Sequence, residues 1–291
     1  MELPLIVGVD GSDSSLLAVD WAVDEAARLG LPLRLVHASK WERYEGAASP
    51  GTVDRPSAQA MAQNIVGSAA ERARRRNPGV PVSAELLADE AVDALLRAGH
   101  NASALVTGAR GRGGLKGVLL GSVGLGVAAR ATCPVIVVRG DKAALEGAHE
   151  RILFGVGEAD TCGEAVRFAF REAAARKSTL DAVRAWRCPA HVSMGRPPPA
   201  GEAERYHEER ASALLDAALQ DAETEHPGVE VRRTTVEGPA RKILLHRSAA
   251  ADLVIIGARR RHGYFGLQLG RVGHTLPHHA DCPVAIVPQR D

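Results

Sequence analysis

Leu5 to Ala38, LIVGVDGSDSSLLAVDWAVDEAARLGLPLRLVHA, decides the fold because it is said twice: it returns without a gap 147 positions later, from Ile152 to Ala185, as ILFGVGEADTCGEAVRFAFREAAARKSTLDAVRA. A second block behaves the same way. LVTGARGRGGLKGVLLGSVG from Leu105 returns 149 positions later as VIIGARRRHGYFGLQLGRVG from Val254, and ATCPVIVV from Ala131 returns as ADCPVAIV from Ala280. A repeat of this length makes each half a domain of ordinary size. The expected domains are residues 1–141 and 149–291.

Inside each copy the hydrophobic period alternates. Apolar runs at Leu5–Val9, Leu33–His37, Leu105–Thr107 and Val135–Val138 are rich in Val, Leu and Ile, as parallel strands covered on both faces require. Between them, Ser12 to Leu29 spaces Leu16, Val19, Val23 and Ala27 for a helix, with Ser12, Asp13 or Ser14 as N-cap and Gly30 as the stop. Further helices are expected over Met61–Arg76, ended by Asn77-Pro78-Gly79, over Ala91–Arg97 and over Val123–Arg130. Alternating strands and helices with short turns read as a doubly wound α/β sheet. Lys40–Ser57 and Arg187–Glu202 lack periodicity and read as mobile loops, and Gly140–Glu150 reads as a direct linker.

Bulk properties narrow the function. Of 291 residues, 36 are Lys or Arg and 35 Asp or Glu, a net charge of +1 that removes the simplest electrostatic case for a nucleic-acid binder. The longest uncharged run, Gly117–Ala129, is glycine-broken and too short to span a membrane. The start has no basic region ahead of its apolar run, so no secretory signal is expected and the location is read as cytosolic. Cys133, Cys162, Cys188 and Cys282 form no CxxC pair and read as reduced structural thiols. His274, His278 and His279 could suggest a metal by spacing, but Pro277 is expected to interrupt a helix there. His37 at a strand end reads as a hydrogen-bonded core residue.

In an open α/β sheet, ligands bind beyond the carboxyl ends of the strands. Asp10-Gly11-Ser12 follows the first strand, Ala38 ends the second, and a glycine-rich stretch, Gly108 to Ser122, follows the fourth. Glycines let backbone amides approach an anion, and the N-terminus of the next helix adds partial positive charge. The stretch is neither a P-loop nor a GxGxxG fingerprint. Its spacing is G-x2-G-x9-G-S, at Gly108, Gly111, Gly121 and Ser122. With VGVDGS at the start and CPVIVV at the end of the half, the whole chain resembles a tandem universal stress protein of the ATP-binding kind.

That resemblance implies two tandem Rossmann-like domains of the adenine nucleotide α-hydrolase-like type, each with a five-stranded parallel sheet. It implies ATP, with Mg²⁺ on its phosphates, in the first half. Asp10, with Gly8 and Val9 beside it, would lie near ribose and phosphates, and the backbone at Ala38 would read the adenine edge. Gly108, Arg110, Gly111, Gly121, Ser122 and Val123 would form the phosphate loop, with Ser122 capping the fourth helix. Gly113, Gly114 and Gly117 are read as giving flexibility. Gly124 stands where relatives carry Ser or Thr. In relatives the last strands pair across a two-fold axis, which implies an internal pseudo-dimer of the halves through Val135–Val138 and Val284–Val287, and a homodimer beyond it.

The second half keeps Gly257 and Gly270 but has Gly157 in place of Asp10, Arg260 in place of Gly111 and Arg271 in place of Ser122. Loss of ATP binding there is one reading, with Glu158 out of register as a replacement carboxylate. A cationic pocket of Arg259, Arg260, Arg261 and Arg271 that takes an anion is the other. The function expected is a nucleotide-responsive regulator of the stress response with an unknown protein partner, no catalytic residues and at most slow ATP hydrolysis. The alternatives are an ATP-using adenylating enzyme, to which Asp10–Ser15 is a poor match, and a ligand-free scaffold.

Overall fold

The computed structural model describes residues 2–40, 58–111, 120–157, 162–188, 202–259 and 269–289. They divide into two compact units, one ending at Arg139 and one beginning at Gly140. The first contains β1 (Leu5–Gly8), α1 (Asp13–Leu29), β2 (Leu33–Ala38), α2 (Ala58–Arg76), β3 (Val82–Leu87), α3 (Ala91–Gly99), β4 (Ala104–Gly108), α4 (Ser122–Arg130) and β5 (Val135–Val138). Its strands run in the order β3-β2-β1-β4-β5, all parallel, with Leu5 level with Leu33 on one side and Ala104 on the other. Strand order reverses between β1 and β4, so α1 pairs with α2 on one face and α3 with α4 on the other.

The core follows the apolar runs: Leu5, Ile6, Val7, Leu33, Leu35, Leu105, Val106 and Ile136 are fully buried. Helix α1 begins as its sequence asks. Ser12 is the N-cap and its hydroxyl accepts from the Ser15 amide at 3.2 Å, while Gly30 closes the helix in the left-handed region at φ 69°. Bidentate pairs from Arg72 to Asp20 and from Arg76 to Asp24 join α2 to α1.

The second unit contains α5 (Lys142–Glu146), β6 (Arg151–Gly155), α6 (Gly163–Arg176), β7 (Thr179–Trp186), α7 (Glu202–Glu225), β8 (Val231–Glu237), α8 (Ala240–Arg247), β9 (Leu253–Ala258), α9 (Arg271–His279) and β10 (Val284–Pro288). Its order, β8-β7-β6-β9-β10, repeats the pattern of the first. The repeat reaches single side chains: Glu25 on α1 and Glu172 on α6 are both 1% exposed, paired with Arg28 and Arg176 of their own helices.

Three sequence readings need correction. Gly140–Glu150 is not a plain linker. Asp141 caps α5 by accepting from the Ala144 amide at 2.9 Å, and Gly140, at φ 107°, passes so close to Asp281 that a Cβ would stand 2.3 Å from its carbonyl oxygen. Pro277 does not interrupt its helix but lies within α9, where burial of Leu276, Pro277 and His278 holds a turn that forgoes one amide bond. Ser122 is the first residue of α4 rather than its cap; the cap is Gly121, whose extended backbone turns the chain into the helix without a side-chain bond. The loops read over residues 41–57 and 189–201 lie outside the described residues.

Candidate functional site

The site is built at the carboxyl ends of β1, β2 and β4. At β1 the Asp10 carboxylate accepts from the amide of Ser12 at 3.0 Å and from its hydroxyl at 2.6 Å, which fixes the acid against the first turn of α1. Gly11, at φ 78°, supplies the turn that this bond needs. At β2, His37 Nδ1 stands 2.7 Å from the Val9 carbonyl, so the buried imidazole ties β2 to β1 as a core histidine would. Ala38 follows it at the rim.

After β4 the chain passes over α1 at van der Waals limits. A Cβ on Gly108 would sit 2.5 Å from the Ser14 carbonyl oxygen, and one on Gly111 would sit 2.8 Å from Asp10 Oδ2. The Arg110 amide donates to the Ser14 hydroxyl at 3.1 Å, which seats the beginning of the loop on α1. Its end is seated too: the Gly121 amide donates to the Ala109 carbonyl at 2.9 Å, immediately before α4 begins. Residues 112–119, with Gly113, Gly114 and Gly117, lie outside the described residues.

These elements enclose a cavity of about 380 Å³, within the range of small-molecule sites. Gly8, Val9, Asp10, Ala38, Gly108, Arg110, Gly111, Gly121, Ser122 and Val123 all line it. The structure therefore brings together all ten residues singled out from the sequence. It adds residues that sequence reading missed as lining: Ser15, Val36, His37, Ala91, Leu95, Thr107 and Gly124. Ala91 and Leu95 are one helical turn apart on α3, and Thr107 immediately precedes the first glycine of the loop; both placements were available in the strand-end rule but carry no motif. Asp10 is the one carboxylate among the described residues lining the cavity.

Two features of the cavity bear on a ligand: Gly108 and Gly111 carry the chain where a Cβ would meet Ser14 or Asp10, and the buried Thr107 hydroxyl on the cavity wall has no hydrogen-bond partner among the described residues. Among the same residues, no group of three His, Cys, Asp or Glu side chains could hold a metal.

The second unit differs at the same positions. Arg184, at the place of His37, is buried and donates to the carbonyl of Gly157, the residue standing where Asp10 stands. Gln289 covers Gly257, its Nε2 lying 3.1 Å from where a Cβ would be. Arg271 is the first residue of α9, with Gly270 as the cap, so the second unit has lost a hydroxyl there but not a capping bond. Glu158, Arg260 and Arg261 lie outside the described residues, and the two readings of this half both stand. His274 and His278 stack at 4.7 Å. Cys133 and Cys282 are buried thiols; burial pushes the Cys133 thiol up to about 11. Among the described residues, no helix is long and apolar enough to cross a membrane.

Comparison with known proteins agrees with the repeat. The universal stress protein family model matches residues 3–139 and again 149–288. Universal stress protein Rv2005c of Mycobacterium tuberculosis is 32% identical over 292 residues, covering 98% of this chain and 97% of the relative. A universal stress protein of Mycolicibacterium smegmatis is 30% identical over 302 residues, covering 99% and 98%. Among solved structures, a universal stress protein from Archaeoglobus fulgidus superimposes with a TM-score of 0.68 at 17% identity, covering 98% of each chain, which supports the fold. With both halves matched and relatives aligned end to end, the chain belongs to the universal stress protein family.

Proposed function

We propose that the first unit binds an adenine nucleotide, ATP accompanied by Mg²⁺, and that occupancy sets the conformation or partner affinity of a cytoplasmic regulator of the stress response. The observation that carries this reading is the convergence of the ten residues from Gly8 to Val123 on one cavity beside the N-terminus of α4. Backbone brought close at Gly108 and Gly111, the helix N-terminus and the Arg110 guanidinium favour an anion. Backbone at Ala38 would orient the base. Asp10, already fixed by Ser12, would meet the sugar and the metal-bearing phosphates.

Bound ATP supplies phosphate charge and a site for Mg²⁺; the chain supplies position. No nucleophile paired with a base is evident among the cavity-lining residues, so a binding role is favoured over turnover. The family pattern further suggests that the two halves form an internal pseudo-dimer and that two chains associate, which sedimentation of the purified protein would test.

The experiment is to release and identify any small molecule that co-purifies, and then to titrate the apo protein with ATP and Mg²⁺. At 100 times the dissociation constant, binding should stabilise the fold by roughly 2.7 kcal/mol, a measurable rise in Tm. Asp10→Ala combined with Gly121→Ala should abolish the rise. No shift with any adenine nucleotide would favour a scaffold, and pyrophosphate release on adding a carboxylate or amide acceptor would favour an adenylating enzyme.

A further inference from the structure

We propose that Thr107 is a specificity-determining residue of the cavity, its hydroxyl forming a polar subsite for a neutral hydrogen-bonding group of the nucleoside part of the ligand; this rests on the nucleotide reading above. Thr107 is 5% exposed, lines the cavity, and its Oγ1 has no hydrogen-bond partner among the described residues. A buried hydroxyl left unpaired costs folding free energy, so a group that pairs with it only in the complex gains binding free energy.

The hydroxyl faces the first turn of α4 at Gly124, where a Cβ would stand 3.4 Å from Thr107 Oγ1 and 3.0 Å from Leu120 Cδ1, so the glycine leaves main chain, not a side chain, next to it. Ala91 and Leu95 supply apolar wall. Such a lining disfavours an ionised phosphate oxygen, which would lose its hydration there, but accepts a neutral donor or acceptor. The phosphates have their own cradle one residue further along the chain, at Gly108 and beyond. What remains is the sugar hydroxyls or the polar edge of the base.

The test measures affinities of the full chain for AMP, its 2′-deoxy and 3′-deoxy analogues, and purine riboside monophosphate, which lacks the exocyclic amine. Wild type is compared with Thr107→Val, which keeps the branched shape and removes the hydroxyl. Thr107→Val should weaken AMP about five- to tenfold, while the Tm of the apo protein stays level or rises. The analogue that lacks the contacted group should bind wild type and Thr107→Val equally, which tells sugar from base. The proposal is overturned if Thr107→Val binds AMP as wild type does, or weakens all four ligands by one factor. Should wild type take up none of the four, the nucleotide reading itself falls, and that is seen before any variant is measured.

Discussion

At the scale of single residues, two glycines of one loop have opposite jobs. Gly108 faces main chain: an added methyl would meet the Ser14 carbonyl at 2.5 Å, an atom that cannot swing away. Gly108→Ala should therefore destabilise the protein by about 1–3 kcal/mol, seen as a lower denaturant midpoint even without ligand. Gly121 is different, since the atom nearest to its added methyl, the Gly111 nitrogen, would be 3.6 Å away, an ordinary contact. Gly121→Ala should keep the Tm of the apo protein and lose nucleotide affinity, measured by calorimetry. Cys133 sets a pH limit. In the folded state burial holds its thiol neutral up to about 11, against 9.0 for an unperturbed cysteine, so the unfolded chain ionises first. The resulting stability is fully present below pH 9 and declines as the pH rises from 9 to 11. Cys133→Ala should flatten that decline in urea titrations across this window.

Elements differ in how openly the sequence announces them. β1, β2, β4 and β5 are buried along most of their length, so their residues read as apolar runs. β3 and β8 sit at the outer ends of their units' strand orders and are half-exposed; VSAELL and VRRTTVE carry no such run, and neither is legible by that criterion. Helix α1 was legible to its cap because capping is local chemistry, and Ser12→Ala should cost about 1 kcal/mol in equilibrium unfolding. The ten cavity residues named from the sequence were legible through the family resemblance that VGVDGS and the G-x2-G-x9-G-S spacing carry. Thr107 and Gly124 were not, since their relation depends on how α4 lies on β4. The buried glutamates Glu25 and Glu172 were equally hidden, their environment being set by packing. Glu172→Ala, which would remove a carboxylate partner of the 6%-exposed Arg176 side chain, should destabilise the protein, read as a lower urea midpoint.

At the scale of the whole molecule, duplication has left two similar frames with different strand ends. Where the first unit presents Asp10, His37 and a Gly108 packed on Ser14, the second presents Gly157 held by Arg184 and Gly257 packed under Gln289. Titration of the intact chain with ATP should therefore saturate near one nucleotide per chain, and a stoichiometry of two would show that both units bind. The segment between the frames has its own consequence. Gly140 and Asp141 lie against Asp281, the Asp141 amide donating a hydrogen bond to the Asp281 carbonyl at 3.3 Å, and the buried Asp252 carboxylate accepts from the amides of His149 and Arg151 at 3.0 and 3.2 Å. Anyone expressing the halves separately should cut ahead of Gly140, for a truncation starting at Arg151 would strip the back half of its own brace and take the His149 amide away from the buried Asp252 carboxylate.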